Sequence, residues 1–350
     1  MGVIPSIHMF KRKNPINFRN GTAGKIALIG AFDSEDTTPR LFAGIDELQA
    51  AYGDITEDFN GCKVAPYLFR GATSILAVNI TTWSSATPPV PTKTITTANL
   101  TSSLAKIKGE DWDILFVADY LTDTFLPIIT AYLEECFEIK YPAGYGGALN
   151  GGSTAANITS LGLAGDHCYT LTAQSGEVDG VSVSALQLAA YYTGLIAGMG
   201  VGETMTQQAV RGVTAISPEY TYETGDDGKA LVAAGLTAFK HRNRDTGEII
   251  VVNSEQPNGL DLYINRVRDY VCKEMYLHQF LGRKGNSATL SEIEQELERV
   301  KEKCIQMDLL EDIEYEVIKK TSKCVDVHIT RLLFADIITT VNVYLSLEVE

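Results

Sequence analysis

The sequence predicts an α/β protein with a mixed sheet that carries helices on both faces, followed by a smaller α+β domain. Two observations lead to this fold class. Over roughly the first 200 residues, short apolar runs alternate with segments of helical spacing, which is typical of sheets covered by helices. Towards the C-terminus, two amphipathic helical segments come together and strands follow them. A chain of 350 residues is long enough to bury two cores.

Four apolar runs in the first part are short and bounded by glycine or polar residues, and they predict buried strands. These strands are Lys25–Gly30, Ser74–Ile80, Trp112–Ala118 and His167–Thr172. Four segments of helical spacing alternate with them, and the first closes at a glycine. The predicted helices are Phe42–Tyr52, Leu100–Ile107, Thr122–Glu138 and Ser184–Ala197. The glycine-rich segment Gly144–Gly152 is predicted to be a loop.

The C-terminal part has a different layout. Gly235–Lys240 and Glu248–Asn253 flank the turn residues Asp245-Thr246-Gly247, which predicts a β-hairpin. Apolar residues at three- and four-residue steps then predict two helices, over Leu260–His278 and Leu290–Met307.

The second of these helices and the strands after it carry further local signals. Ser291 with Glu294 predicts a capping box. Strands are predicted over Val325–Ile329 and Ile337–Leu347. The last run alternates apolar with polar residues, which is typical of a half-buried strand. Its apolar members include Val341, Val343, Leu345 and Leu347.

A change of composition marks the first domain boundary, because Thr81–Thr97 is rich in threonine, serine and proline. The prediction has five parts. They are an N-terminal arm over 1–24, the first part of a core over 25–84, an α/β domain over 85–248, a C-terminal core domain over 249–340, and a terminal strand or arm over 341–350.

The formal net charge of −15 disfavours a nucleic-acid partner, since a polynucleotide is itself an anion. The charge is unevenly distributed. Before Asp33 the chain has basic residues and no acid. The basic residues are Lys11, Arg12, Lys13, Arg19 and Lys25. The N-terminal segment is either a solvated tail or an arm that docks on an acidic surface, such as another copy of the same protein.

The six cysteines form no CxxC pair, and the N-terminus has no apolar signal region, so we expect free thiols in a reducing compartment. Gly180–Gly202 carries no charge, but it is too polar and too rich in glycine for a spanning helix. We therefore predict a buried helix there and no direct insertion into a membrane.

Two glycine-rich segments resemble nucleotide-binding loops only in part. The segment from Gly21 to Lys25 lacks two required positions of a phosphate loop, where Arg19 and Ile26 stand instead, and it precedes a strand. Gly198–Gly202 follows a helix, which is the wrong context for a dinucleotide fingerprint. The sequence therefore predicts no cofactor-binding residues.

Neither a metal site nor a catalytic site is predicted. His167 and Cys168 are adjacent and point to opposite faces of a strand, and Asp326 with His328 supplies only two ligands on one face. No GxSxG motif occurs, although five histidines leave a catalytic triad open by count. A soluble α/β hydrolase-like enzyme remains the alternative to a structural protein.

Several segments together resemble the contractile tail sheath family. Lys25–Gly30 followed by Phe42–Gly53 resembles that family's early strand and helix. Leu195–Thr206 resembles its GLIAG segment, and Ala233–Lys240 with Ile250–Asn253 resembles its GLTAF and IVVN hairpin. The likeness covers most of the chain and is weakest over residues 85–180.

This resemblance implies a structural protein that polymerises and is not an enzyme. Family members stack as six-membered rings around a tube, and terminal arms from neighbouring subunits complete each core sheet. The implied partners are further copies of the chain, a tail tube protein, and baseplate and tail terminator proteins. The resemblance also implies a subtilisin-like fold for residues 85–248, assembly in the cytoplasm of a bacterial host, and release within a phage or R-type bacteriocin particle. No catalytic residue is carried over, because the region lacks the HGT and GTS segments of a subtilisin.

The candidate contact residues lie at the two ends of the chain and in one loop. We predict contacts between subunits at Val3, Ile4, Ile7, Ile16, Phe18, Val341, Val343, Leu345 and Leu347. Arg283 and Lys284, between the two amphipathic helices, are the candidates for facing the tube. The alternative for this basic pair is a solvated turn between helices.

Overall fold

The computed structural model divides at position 276/277 into two compact units. The residues that it describes are 24–54, 58–138, 142–149, 169–222, 227–242, 247–275, 277–281, 283, 286–321 and 324–334.

Helices and strands alternate along the first unit. Its helices are α1 (Ile45–Tyr52), α2 (Asn60–Leu68), α3 (Thr97–Ile107), α4 (Leu126–Glu138), α5 (Ala185–Gly198), α6 (Asp227–Ala233) and α7 (Leu262–Glu274). Its strands are β1 (Lys25–Gly30), β2 (Arg40–Phe42), β3 (Ser74–Asn79), β4 (Thr82–Trp83), β5 (Pro91–Thr92), β6 (Ile114–Tyr120), β7 (Gly144–Ala148), β8 (Tyr169–Thr172), β9 (Ser175–Val178), β10 (Val181–Val183), β11 (Val213–Ser217), β12 (Phe239–His241) and β13 (Ile249–Val251).

The main sheet of the first unit has the strand order β2-β3-β1-β6-β7-β8. Strand β2 runs antiparallel to β3, and the other neighbours are parallel, so the sheet is mixed as predicted. The residues from Ile26 to Ile29 in β1 are completely buried. Since successive side chains of a strand point to opposite faces, both faces of the sheet are covered at β1.

Helices α2 and α5 pack against each other unusually closely, and glycines make this possible. A Cβ on Gly71 would lie 2.1 Å from the carbonyl oxygen of Gly194, and a Cβ on Gly194 would lie 2.6 Å from that of Leu68. The uncharged segment that contains α5 is therefore a buried helix beside the sheet, as predicted. Among the described residues, no helix is both long enough and apolar enough to cross a bilayer.

Three smaller sheets belong to the described part of the first unit, and the shortest is the antiparallel pair of β4 and β5. Strands β10, β9 and β11 form an antiparallel sheet. Strands β12 and β13 form the predicted hairpin, although each has only three residues.

The second unit consists of a short 3-10 helix (His278–Phe280), α8 (Ser287–Gln306), and the strands β14 (Asp312–Thr321) and β15 (Cys324–Leu333). One stripe of α8 is buried, and its members are Ile293, Leu297, Val300 and Cys304. The three- and four-residue spacing of these side chains is the pattern that predicted the helix.

Several predictions of local structure were wrong. Gly144–Ala148 is a buried strand and not a loop, because its glycines let α5 approach: a Cβ on Gly146 would lie 2.3 Å from the hydroxyl of Thr193. Phe42 belongs to β2, so the first helix begins only at Ile45.

Other differences concern caps and elements that the sequence did not predict. The capping box at Ser291 and Glu294 is wrong, because α8 begins earlier and Asn286 caps it by accepting the N–H of Thr289 at 2.9 Å. Helix α2 contains Pro66, which argues against a helix in sequence patterns. Strand β14 was also not predicted. The domain boundaries and the subtilisin-like detail stay predictions.

Candidate assembly surfaces

The hairpin of β14 and β15 is the longest strand pair that the structure describes. Its register runs from Asp312 opposite Leu333 to Thr321 opposite Cys324. Within the described part of the chain, these two strands pair only with each other. As far as the described residues show, the outer edge of each strand is open to a further strand, and such edges are templates for pairing with another chain.

One face of this hairpin is held against α8. Ile313 is buried, and Val317 and Val327 on the same face are half-buried. The hydroxyl of Tyr315 donates to a carboxylate oxygen of Glu298 at 3.0 Å. Burial, together with this hydrogen bond, raises the pKa of Tyr315 to about 12. The helix therefore supports one face of the hairpin.

Lys301 adds a polar contact between helix and hairpin. Its ammonium lies 2.7 Å from a carboxylate oxygen of Asp312. This hydrogen bond holds the pKa of Asp312 below its usual range. Both groups are close to solvent, so we assign the pair little energy.

The opposite face of the hairpin is charged. Glu314 lies opposite Arg331, with 3.3 Å between carboxylate and guanidinium, and Glu316 lies opposite His328. Asp326 and His328 share this face as predicted, with 3.6 Å between their side chains. Among the described residues, no group of three or more His, Cys, Asp or Glu side chains could hold a metal ion.

The structure places one residue of the basic loop. Arg283 lies between the 3-10 helix and α8, and its guanidinium is 2.5 Å from a carboxylate oxygen of Glu292 and 5.2 Å from the ring centre of Phe280. Its side chain is 43% exposed. Lys284 lies outside the described residues. A role for this pair in facing a tube stays a prediction, and Arg283 already has a partner within its own unit.

The predicted contacts between subunits all fall in the terminal segments. Val3, Ile4, Ile7, Ile16, Phe18, Val341, Val343, Leu345 and Leu347 lie outside the described residues. Their role stays a prediction.

Two of the segments that resemble the sheath family meet in space. The backbone N–H of Gln207 donates to Val251 at 2.9 Å, and that of Val210 donates to Ile249 at 2.8 Å. The chain after α5 therefore runs alongside β13. Arg266 of α7 donates to the carbonyls of Met199 and Gly200 at the end of α5, which satisfies acceptors that a helix end leaves free.

The same region contains a carboxylate that sequence reasoning missed. Asp261 accepts hydrogen bonds from the hydroxyls of Thr206, at 2.9 Å, and Ser254, at 2.7 Å. It also accepts the N–H of Tyr263 at 3.0 Å, so it caps α7. An aspartate directly before an apolar helical pattern is an N-cap signal that could have identified it. The family-like segments thus position the last helix of the first unit.

The incomplete phosphate loop has a structural explanation. Lys25 is the first residue of β1, and its ammonium lies 2.5 Å from a carboxylate oxygen of Asp111. An ammonium with this partner at the start of a strand does not have the geometry of a phosphate loop, whose lysine precedes a helix.

The two described imidazoles show no catalytic arrangement. His241 lies 3.1 Å from a carboxylate oxygen of Glu219, and His328 pairs with Asp326. In the described part of the chain, neither imidazole hydrogen bonds to a serine or threonine hydroxyl. A nucleophile activated by a histidine needs that contact.

The comparison with solved structures decides the fold. A sheath tail protein from Desulfitobacterium hafniense matches with a TM-score of 0.65 and 11% identity, over 89% of this chain and 93% of that one. The helical sheath of the anti-feeding prophage in its contracted state matches with a TM-score of 0.67 and 11% identity, over 98% and 99%. This chain has the contractile sheath fold. The prediction from sequence is thereby confirmed at the level of the fold.

A third solved structure, a baseplate, also contains a matching chain. A chain in the six-fold symmetrised baseplate of the anti-feeding prophage matches with a TM-score of 0.68 and 10% identity, over the whole of both chains. No family profile and no curated protein matches the sequence itself. The sheath fold therefore persists here at an identity where sequence alone carries little signal.

Proposed function

We propose that the chain is the repeating subunit of a contractile sheath, and that it acts by polymerising. The observation that carries this proposal is the sheath fold, which the chain shares over 98% of its own length with the contracted sheath of the anti-feeding prophage. A structural role also agrees with the prediction that the chain is not an enzyme.

The outer edges of the β14–β15 hairpin support a mechanism of assembly. Terminal arms of neighbouring subunits would add strands to these edges, as in β-strand addition. About five ladder hydrogen bonds per added strand, at a net 0.5–1.5 kcal/mol each, would hold a junction by several kcal/mol. The basic N-terminal segment suits the charged outer face, where Glu314, Glu316 and Asp326 lie.

The proposed assembly consists of six-membered rings stacked around a tail tube. Contraction is a change from a metastable packing to a tighter one, driven by energy stored at assembly, and it uses no nucleotide. The tube, a baseplate and a tail terminator are the proposed partners. Assembly takes place in the cytoplasm of a bacterial host, and the product is part of a phage tail or of a tail-like particle.

Electron microscopy of the purified protein, alone and with a co-expressed tube protein from the same gene cluster, tests this proposal. We expect rings or tubes with six-fold symmetry and a wider, shorter form after treatment that triggers contraction. A small monodisperse particle under every condition, with or without the tube, would contradict the proposal and favour the hydrolase-like alternative.

A further inference from the structure

One carboxylate joins the first strand and the last helix of the first unit. Asp113 directly precedes β6. One of its oxygens accepts the backbone N–H of Lys25 at 3.3 Å, and Lys25 is the first residue of β1. The other oxygen accepts a hydrogen bond from the ammonium of Lys273, in the last turn of α7, at 2.7 Å.

Asp113 is also fixed by its backbone. Its N–H donates to the carbonyl of Lys25 at 2.9 Å, and its carbonyl accepts the N–H of Gly144 at 3.0 Å. The backbone of Asp113 is therefore bonded on one side to the start of β1 and on the other side to the start of β7. Because the backbone is held in the sheet, the carboxylate cannot follow α7 if that helix moves away.

The surroundings of this carboxylate are largely buried and charged. The side chains of Asp113 and Lys273 are 12% and 23% exposed, and those of Asp269 and Arg268 are 13% and 19% exposed. Burial acts to lower the pKa of Lys273, but Asp113 and Asp269 outweigh it and raise that pKa. The ammonium therefore stays charged and keeps its contact with Asp113.

This contact joins two parts of the chain that are far apart in the sequence. Strand β1 is the first element of the first unit that the structure describes, and we call its start the entry; the unit ends two residues after α7, and we call the last turn of α7 the exit. The other end of α7 is fixed separately by Asp261. Lys273 thus ties the last turn of α7 to the same carboxylate that accepts the N–H of Lys25 at the start of β1.

We propose that Asp113 is a clamp that couples the entry and the exit of the first unit, so that the start of β1 and the last turn of α7 open together. In the proposed sheath, a pull on either terminal part of the chain would then reach the same carboxylate. The coupling itself is a property of the single subunit and does not depend on polymerisation.

Hydrogen exchange on the full-length, unassembled chain tests the clamp. Lys273→Met removes the ammonium but keeps most of the apolar stem, and it alters α7 alone. We expect the amide of Lys25 and amides in residues 268–275 both to exchange at least tenfold faster, because a carboxylate without its ammonium turns towards solvent and releases the N–H of Lys25. Asp113→Asn should accelerate the same two segments.

Two controls separate the clamp from general loosening. Asp111→Asn removes the partner of the Lys25 ammonium and leaves both hydrogen bonds of the Asp113 carboxylate in place, so it should not accelerate the two segments together. Glu135→Gln removes the exposed pair with Lys108 and should accelerate neither segment. If Asp113→Asn does not fold, hydrogen exchange on Lys273→Met alone tests the proposal. Faster exchange in α7 with β1 unchanged, or no change in either segment, would overturn the proposal, whether or not the protein forms sheaths.

Discussion

At the scale of single residues, burial decides how Asp119 behaves. Among the described residues, this carboxyl group at the carboxyl end of β6 accepts a hydrogen bond from its neighbour's N–H alone, that of Tyr120 at 2.8 Å. Burial raises its pKa from the ordinary value of 3.8, and the hydrogen bond from Tyr120 only partly opposes that rise. The native state therefore holds the proton of Asp119 more tightly than the unfolded state does.

The direction of this shift predicts a pH dependence. As pH rises from below 3.8 through the raised pKa, Asp119 makes a growing unfavourable contribution to stability, since the unfolded chain loses the proton first. We expect Asp119→Asn to have a higher urea midpoint than the wild type at pH 7, and the two midpoints to converge near pH 3. Equal midpoints across this range would contradict the assigned cause.

Gly194 offers a second prediction at this scale. A Cβ there would lie 2.6 Å from the carbonyl oxygens of both Tyr67 and Leu68, and these belong to a helix that cannot shift alone. We expect Gly194→Ala to lower the free energy of unfolding by about 1–3 kcal/mol, or to prevent folding, through overpacking.

Gly44→Ala is the matched control for Gly194→Ala. No heavy atom lies within 4 Å of a Cβ at this position, and its backbone is extended with φ of −162°. The control should cost no more than about 1 kcal/mol, since alanine is a poorer N-cap than glycine but no side-chain cap bond is lost. Similar losses for the two variants in urea denaturation would refute the packing argument.

At the scale of elements, α7 depends on its cap more than α8 does. Asp261→Ala removes the N-cap and the acceptor of the Thr206 and Ser254 hydroxyls. Because these two hydroxyls lie 2.8 Å apart, one can still donate to the other, and one buried hydroxyl is left without an acceptor. A lost cap costs about 1 kcal/mol, and an unsatisfied buried polar group adds about 1–3 kcal/mol. Asn286→Ala, the comparison variant, removes only the cap of α8. Hydrogen exchange should show the larger loss for Asp261→Ala, and equal local losses would count against the hydroxyl cluster.

The elements also show how far sequence reasoning reached. Strand β1 was predicted with its observed bounds, because a continuous apolar run reports burial directly. Helix α2 and strand β7 were missed, because Pro66 and Gly146 carry local signals against their elements. Contacts far away in the sequence override those signals, as the hydroxyl of Thr193 does at Gly146. For the candidate assembly surface on the β14–β15 hairpin, the charged residues could be read from the sequence. The open strand edge could not, since β14 itself was not predicted.

At the scale of the whole molecule, the N-terminal segment should matter for assembly and not for the fold of the subunit. Ordering it costs about 1–2 kcal/mol per residue in backbone entropy, so a partner has to offset that cost. We expect deletion of residues 2–19 to leave the melting temperature of the monomer nearly unchanged and to abolish extended sheaths in micrographs. A large drop in melting temperature with intact sheaths would assign the segment to its own subunit.

The basic loop gives a prediction about the tube. Reversing the charges of Arg283 and Lys284 should weaken the association of sheath and tube, and the effect should shrink as salt is added. Because Arg283 also pairs with Glu292, the variant Glu292→Gln serves as the control that breaks this pair and keeps the basic charges. Co-sedimentation over a salt series measures both. If Glu292→Gln weakened the association of sheath and tube as much as the charge reversal does, the effect would come from the broken ion pair within the second unit and not from a contact with the tube.

The charged outer face of the hairpin has a kinetic consequence for a polymer. Two free copies that brought these faces together would oppose Glu316 and Asp326 of one copy to the same carboxylates of the other, since Arg331 compensates only Glu314, and like charges in register are unfavourable. Bulges at Glu314/Tyr315 and Lys319/Thr321 twist the edges further away from flat pairing. In the proposed sheath, this charge would disfavour pairing of identical hairpins and favour the basic N-terminal segment of a neighbouring chain. A pool of newly made subunits would then stay dispersed until a template presents that segment, and growth would show a lag that added seeds remove.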